Sequence, residues 1–581
     1  MAAASLANTM YEKDGVRIAV EGCGHGTLDA IYAAVAKSCE ARKWDGVDLL
    51  IIGGDFQAAR NAADLYLMAV PRKYRQLGDF QAYYRGDRTA PYLTIFIGGN
   101  HEAAAHLSEL YYGGWVAPNI YYLGAANVLR FGPLRIAGMS GIWKGGDYRR
   151  THHERLPFKN SDIRSFYHVR EIDVRKLLLL REQVDVGLSH DWPRGIENHG
   201  NYNALWKIKP DFERESRDGT LGNPAAAYVM DRLRPAYWFS AHLHCKYAAI
   251  KTYDPPSAAE VSTDEATTQP SAPVPAEEPA ANPDEIDLDM DEEDDEPAPS
   301  NPSNEANPPP STSTSTSAVP DELRAQLPAS FAKPTPASHQ GPKLNPGQPV
   351  PPTITNTTTR FLSLDKCLPG RKFIQVCALA PVDRKQFKAY PPSRPRSPSK
   401  SPRSSGKSRS SSKSRSPPDK PPTRWQRYHL HYDPEWLAIT RVFAPSLQIG
   451  DPDAAPPPDL GEAAYAPLIA AERAWVEEHV VRAGKLRVPE NWAATAPPHR
   501  RGAPEIVNDM PDEYSHPQVA AFCEMLGVPN LWHASPEERK ERRARARAPV
   551  EDGGQGGEGG GGGGGEGEGA RGVEEGADGI R

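Results

Sequence analysis

Residues 16–26 read VRIAVEGCGHG: an apolar, strand-like run stops at a glycine, and a cysteine and a histidine follow at once. The same grammar recurs as LLIIGGD at 49–55, LTIFIGGNHE at 93–102, VGLSHD at 186–191 and YWFSAHLH at 237–244. Short runs rich in Val, Ile and Leu and bounded by glycine fit strands buried on both faces. On this pattern strands are expected at 16–20, 47–52, 93–97, 134–137, 184–188, 236–239 and 247–250, with covering helices at 28–41 and 172–182. Alternation of this kind predicts a layered α/β sandwich.

Each run ends in groups that bind metals. Strands that carry Asp, Asn and His to one rim of a sheet supply what two-metal phosphoester cleavage requires. Asp55 follows the apolar run at 49–52, and its two oxygens suit a bridge between cations about 3.5–4 Å apart. His25, His190, His242 and His244 offer imidazoles and Asn100 a carbonyl oxygen, a donor set that suits Mn, Fe or Zn better than Mg or Ca. His242 and His244 stand at strand spacing, which would point both rings to one face of an extended segment. Cys23 on its own reads as a buried apolar thiol, but with His25 two residues on it reads as a ligand. His106, His152 and His153 have no ligand spacing and are expected at the surface.

The chain has 581 residues with 58 Pro and 49 Gly, longer than one domain needs and in places too poor in apolar residues to pack. The first 254 residues hold enough apolar sequence for one sizeable core, expected as the catalytic domain (1–254). Residues 255–352 turn Pro-, Ser-, Thr- and Ala-rich, with ten carboxylates among the 13 residues 284–296, and are expected to be a disordered linker. Ordered sequence resumes at 353–376 and again at 425–442, with helices expected at 461–481 and 516–526. Together these make a small C-terminal domain, 353–535, interrupted at 391–422 by a Ser/Arg-rich disordered insert. Residues 536–581 read as a charged, Gly-rich disordered tail, although 537–547 has the composition of an exposed charged helix. The net charge of −7 averages these opposed blocks and says little about partners. Six cysteines without paired spacing and no signal-like N-terminus point to a reduced, intracellular protein. Apolar stretches fall far short of the roughly 20 residues of a spanning helix, so no membrane role is expected. No organic cofactor is expected either.

The order and spacing of these motifs resemble the calcineurin-type metallophosphoesterase superfamily: Asp-x-His, Gly-Asp, Gly-Asn-His-Glu, a lone His, and Gly-His-x-His. Two departures stand out: Cys23 replaces the first Asp, and Ala241 replaces the last motif's glycine. The cysteine resembles the RNA lariat debranching enzymes within that superfamily. Longer strings match them too, among them GCGHGTLDAIY (22–32), GGDFQAARN (53–61), YGGWVAPNIYYLG (112–124), SGIWKGGDYRRTHHERLPF (140–158) and TRFLSLDKCLPGRKFIQV (359–376). The resemblance implies a metallophosphoesterase β-sandwich flanked by helices. It implies one metal pocket of Asp55, Asn100, His190 and His242, and another of Cys23, His25, Asp55 and His244. The implied cations are Fe(II), Zn(II) or Mn(II), with the thiolate shifting the second pocket toward Fe or Zn and weakening its hold on Mn. The implied reaction is hydrolysis of the 2′–5′ phosphodiester at the branch point of an excised intron lariat, with His101 as general acid.

Residues 140–170 resemble that family's lariat recognition loop. Trp143, Tyr148, Phe158 and Tyr167 are interleaved there with Lys144, Arg149, Arg150 and Arg164. Aromatics that stack splayed bases beside cations that follow phosphates are a usual means of holding branched or single-stranded RNA. The Ser/Arg insert implies a nuclear location and splicing-factor contacts. Two other functions fit less of the sequence: a general metallophosphodiesterase or phosphatase, and a non-catalytic splicing adaptor.

Overall fold

The computed structural model describes residues 15–253, 349–390 and 426–547. Two sheets carry the fold. The first comprises β1 (Val16–Glu21), β2 (Leu49–Ile52), β3 (Thr94–Phe96), β4 (Gly114–Ala117), β5 (Ile120–Tyr122) and β12 (Ile374–Leu379), ordered β12-β1-β2-β3-β5-β4. The second comprises β6 (Ala126–Phe131), β7 (Leu134–Met139), β8 (Val186–Ser189), β9 (Tyr237–Ser240), β10 (Tyr247–Thr252), β11 (Thr358–Ser363) and β13 (Leu430–Tyr432), ordered β10-β11-β9-β8-β7-β6-β13. β1, β2, β3 and β5 run parallel, as do β7, β8, β9 and β11. Parallel register therefore brings the C-terminal ends of β1, β2 and β3, and of β7, β8 and β9, to common rims.

The face between the sheets carries Ile18, Val20, Leu49, Ile51 and Ile95 from the first and Leu129, Ile136, Leu188 and Phe239 from the second. All four residues of β2 are buried, each contributing about 1.5–3 kcal/mol relative to exposure. The helix Leu28–Ala41 packs Ile31, Val35 and Cys39 into the same apolar cluster from the other face of the first sheet, where Tyr32 Oη lies 3.0 Å from Thr94 Oγ1. A second cluster joins Val128, Ala137 and Trp238 of the second sheet to Val174, Val229, Met230 and Ile439. Those residues come from the helices Glu171–Leu178, Pro224–Leu233 and Pro434–Phe443. The result is the α/β sandwich expected, with β4, β5, β6, β11, β12 and β13 added to the predicted strands.

The C-terminal segment supplies strands to both sheets. β12 borders β1, β11 lies between β10 and β9, and β13 pairs with β6. Asp433, just past β13, accepts from Arg135 Nη2 at 2.7 Å and Arg130 Nε at 2.9 Å while capping the next helix through Trp436 N–H at 3.0 Å. Residues 349–352 of the expected linker are ordered here, with Pro351 buried; the rest of it and the Ser/Arg insert lie outside the described residues. The charged helix expected over 537–547 spans Pro536–Arg547, so the disordered tail expected from 536 does not begin there. Its start is a reciprocal cap, Ser535 N–H to Glu538 Oε2 at 2.6 Å and Glu538 N–H to Ser535 Oγ at 3.2 Å, and Arg542 anchors it to Glu513 and to the Leu156 carbonyl. Residues 548–581 lie outside the described residues.

Candidate metal centre

Five loops at the sheet rims bring the predicted ligands together. Cys23 and His25 follow β1, Asp55 follows β2, Asn100 and His101 follow β3, His190 follows β8, and His242 and His244 follow β9. Ligand atoms of Cys23, His25, Asp55 and His244 all lie within 4.8 Å of one another, the second pocket expected from the sequence. Asp55 Oδ2 is 3.6 Å from His25 Nε2, and Oδ1 is 3.4 Å from His190 Nε2. The carboxylate thus faces both ligand groups, as a bridge must. On the Oδ1 side, Asn100 Oδ1 lies 3.3 Å from His190 Nε2, and the His190 and His242 ring centroids are 5.0 Å apart. His190 Nδ1–H donates to the Gly53 carbonyl at 2.8 Å, which leaves Nε2 with its lone pair toward Asp55 and Asn100.

The loops are bent tightly. His25, Asp55, His242 and His244 all have positive φ, between 40° and 60°, at about 1–3 kcal/mol each for non-glycine residues. His242 and His244 are therefore not on an extended strand, as their spacing had implied: β9 ends at Ser240, and Leu243 N–H turns back to Ala241 O at 2.7 Å. His244 instead faces His25, Nε2 to Nε2 at 3.3 Å, and the His242 N–H donates to Cys23 Sγ at 3.2 Å. Two glycines make the crowding possible. A Cβ on Gly54 would stand 2.1 Å from His190 Nδ1, and one on Gly99 would stand 2.2 Å from Asp55 Oδ1. Gly53 leaves room for the unusual Ala241, whose methyl would be 3.0 Å from a Cβ there.

Electrostatically the cluster is short of cations. Burial opposes ionisation of Asp55, but His190, His101 and His25 outweigh it and hold the carboxylate well below its usual range. Its Oδ2 is nonetheless buried without a hydrogen-bond partner. Burial pushes the Cys23 thiol up, and Asp55 and Glu21 push it further. Burial also lowers His25, to about 4, so the ring is neutral and its lone pair free for coordination. Neutral imidazoles, an orphaned carboxylate oxygen and a thiol that only a cation would keep ionised fit a divalent metal site.

With the geometry set out, similarity to known proteins is informative. A model of the lariat debranching enzyme C-terminal domain matches residues 356–531, and one of the calcineurin-like phosphoesterases matches 16–246. The lariat debranching enzyme of Schizosaccharomyces pombe is 37% identical over 516 residues, covering 88% of this chain and 96% of the relative. This chain belongs to the lariat debranching enzyme family. The Danio rerio lariat debranching enzyme is 34% identical over 521 residues, 89% of this chain and 67% of the relative. The Homo sapiens one is 56% identical over 235 residues, 40% of this chain and 43% of the relative. Membership in a metallophosphoesterase family carries divalent metal binding with it.

His101, the expected acid, donates its backbone N–H to Asp55 Oδ1 at 2.9 Å, and its Nδ1 is buried without a hydrogen-bond partner. Its ring centroid is 5.6 Å from that of His25. Three supporting residues had no role assigned from sequence, though each adjoins a ligand or lies two residues from one. Glu102 accepts from the N–H groups of Phe56, Gln57 and Gly99 at 2.8, 2.9 and 2.9 Å, fastening the β3 loop to the β2 loop. Gln57 Nε2 lies 3.4 Å from His25 Nδ1. Asp191 accepts from Trp192 N–H at 2.7 Å and from the Trp143 N–H, tying the residue after His190 to the 140–170 loop.

The loop expected to hold RNA is only partly exposed. Phe158, 4% exposed, sits in a cluster with Leu67, Ala104 and Leu156, and Tyr167 is only 9% exposed, so neither offers an open ring face to a base. Apolar burial wins over the charged surroundings that suggested stacking. Trp143 and Tyr148 are half-buried, their ring centroids 4.8 Å apart, while Arg149 and Arg164 are exposed. Lys144 is half-buried, and Arg150 pairs with Asp147 at 3.0 Å. The histidines expected at the surface are not there. His106 is buried with Nδ1 2.9 Å from Ala58 O, His152 pairs with Asp173 at 2.6 Å, and His153 is buried.

Proposed function

We propose that this chain hydrolyses the 2′–5′ phosphodiester at the branch point of excised intron lariats, leaving linear RNA for turnover. The observation that carries it is Asp55 held between His25 on one side and His190 on the other at the sheet rim, in a chain that belongs to the lariat debranching family along most of its length. Divalent cations held there supply Lewis-acid charge at the phosphoryl oxygens and an acidified water. Cys23, His25, Asp55 and His244 would hold one, and Asp55, Asn100, His190 and His242 the other. Cys23 makes its pocket softer, favouring Fe(II) or Zn(II) over Mn(II). His101 donates the proton to the departing 2′ oxygen, and its backbone bond to Asp55 keeps acid and bridge in one register. Trp143, Tyr148, Lys144, Arg149, Arg150 and Arg164 hold the RNA. The Ser/Arg run at 391–422 supports nuclear location and splicing-factor contacts.

Cleavage of a synthetic branched RNA with one 2′–5′ linkage, beside a linear 3′–5′ control, tests this with wild type and His101→Ala and with Fe, Zn and Mn supplied in turn. Wild type is expected to open the 2′–5′ bond alone and His101→Ala to lose most of the rate. Equal cleavage of both RNAs would leave a general phosphodiesterase, and none with any metal would leave an adaptor.

A further inference from the structure

The string 359–376 was prominent in the sequence, yet the centre uses none of it. Its place follows from strand order. β11 runs parallel to β9 with Ser363 opposite Ser240, so β11 ends at the ligand rim. β12 begins at that rim, with Ile374 opposite Glu21. The connection 364–373 therefore crosses from one sheet to the other beside the Cys23 and His244 loops. Along the rims the order is recognition loop after β7, then His190 after β8, then His242 and His244 after β9, then this connection after β11. The ligands are flanked on both sides.

The connection is bonded to the ligand loop. Cys367 N–H donates to the Cys23 carbonyl at 3.2 Å and Gly22 N–H to the Phe373 carbonyl at 3.1 Å, and a Cβ on Gly22 would stand 2.2 Å from Asp365 O. Asp365 N–H closes the turn onto Lys372 O at 3.3 Å. Its sequence, LDKCLPGRKF, carries three cations against one carboxylate. Lys366 is half-buried and close enough to His25 to disfavour its protonation, whereas Arg371 and Lys372 are exposed. Arg371, its side chain 46% exposed, lies 3.5 Å from the buried Asp365 carboxylate, a single long contact that leaves much of the guanidinium facing solvent. Leu368, at the tip, is 42% exposed.

A branched RNA sends three strands out of one nucleotide, and the recognition loop stands on one side of the ligands only. We infer that the 364–373 connection is a second RNA-binding wall that holds phosphates of the arm leaving the branch point away from the recognition loop. Lys366 takes the phosphate nearest the metals, Arg371 and Lys372 take the next ones outward, and Leu368 gives a base an apolar contact. Cations spaced along a rim with an exposed apolar tip are how a single strand is followed without sequence choice. The inference rests on branched RNA being the substrate.

Fluorescence anisotropy with the full, metal-loaded chain and a branched RNA whose 2′–5′ linkage is a non-hydrolysable triazole tests it. Arg371→Ala/Lys372→Ala is expected to weaken binding of the three-armed RNA roughly tenfold near physiological salt and to lower the slope of log K against log salt by about 1.4, the value for two single-strand phosphates. With the arm in question cut back to the branch nucleotide, variant and wild type should bind alike. Both side chains are exposed, so equal melting temperatures are expected, and 4-thiouridine in that arm should crosslink within 364–373. A variant that binds every RNA within twofold of wild type, with crosslinks elsewhere, would overturn the wall. A wild type that does not prefer branched over linear RNA would overturn the substrate assignment instead.

Discussion

Gly98 and Gly99 are neighbours at the end of β3, and the structure gives their alanine variants opposite outcomes. Neither has the positive φ that alanine resists, so the contrast is one of space. A Cβ on Gly99 would meet Asp55 Oδ1 at 2.2 Å, Asp55 N at 2.6 Å and His190 Cε1 at 2.7 Å. Ordinary contact begins near 3.4 Å, so the Asp55 carboxylate and its loop must retreat by about 1 Å. That motion stretches the His101 N–H bond to Oδ1, now 2.9 Å, and draws the carboxylate away from His25 and His190 on either side of it. A misplacement of about 1 Å is enough for a loss on the order of 100-fold, or about 2.7 kcal/mol in the barrier. Overpacking costs stability as well, about 1–3 kcal/mol. A Cβ on Gly98 meets nothing closer than Ser140 Cβ and Tyr122 Oη at 3.5 Å, which is ordinary van der Waals distance. The assay is kcat/KM on a 2′–5′ branched RNA, with metal content per chain by mass spectrometry and a melting curve for each protein. Gly99→Ala should lose metal and fall at least about 100-fold, while Gly98→Ala stays within about threefold. Full metal content and near-normal turnover in Gly99→Ala would show that Asp55 is not the bridge.

The other predictions are independent of that one. Cys23→Asp replaces a soft ligand by a hard one and should raise the Mn-to-Zn activity ratio about tenfold, or about 1.4 kcal/mol; an unchanged ratio would remove Cys23 from the ligand set. Phe158→Ala should cost about 3–5 kcal/mol in denaturant unfolding because its ring is buried. Arg149→Ala, at a side chain 78% exposed, should leave stability within about 0.5 kcal/mol yet weaken RNA binding; the reverse pattern would return Phe158 to the RNA surface. Burial opposes ionisation of Asp433, but Arg135 and Arg130 hold its folded-state pKa well below the usual range. The stability it contributes is therefore present above its unfolded pKa, near 3.9, and lost as pH falls toward the folded value. Asp433→Asn should cost about 3–5 kcal/mol at neutral pH and show a shallower fall in melting temperature between about pH 5 and pH 2 than wild type; parallel curves would count against the pair.

What was legible in the sequence is what short-range rules control. The runs ending in Cys23, Asp55, Asn100 and His190 became strands because four or so consecutive apolar residues can be buried only between layers. Their ligands fell at the rim because parallel neighbours end together. Less could be read where a residue's role depends on a distant partner. Phe158 and Tyr167 stand among arginines in sequence, and only Leu67 and Ala104, from a segment some 50 to 90 residues earlier, show that Phe158 is core. His152 looked like a surface histidine until Asp173 came to meet it at 2.6 Å. The positive φ values at His242 and His244 come from closure against Cys23 and His25, and no local spacing rule anticipates them.

The C-terminal strands make the same point about architecture. Read along the chain, 353–376 is an isolated ordered island between long polar stretches, and a separate small domain is the natural inference. In the fold, β11 is an interior strand, paired with β9 on one side and β10 on the other, and β12 covers β1. β1 and β9 are the strands that carry Cys23, His25, His242 and His244. The catalytic half thus depends on strands more than 100 residues away to pair the edges of the very elements that position its ligands. Loss of β11 would leave unpaired backbone on β9 beside the His242 turn, and loss of β12 would do the same to β1 beside Cys23. Residues 356–531 then act on the metal centre through strand pairing, whatever part of that segment meets the RNA.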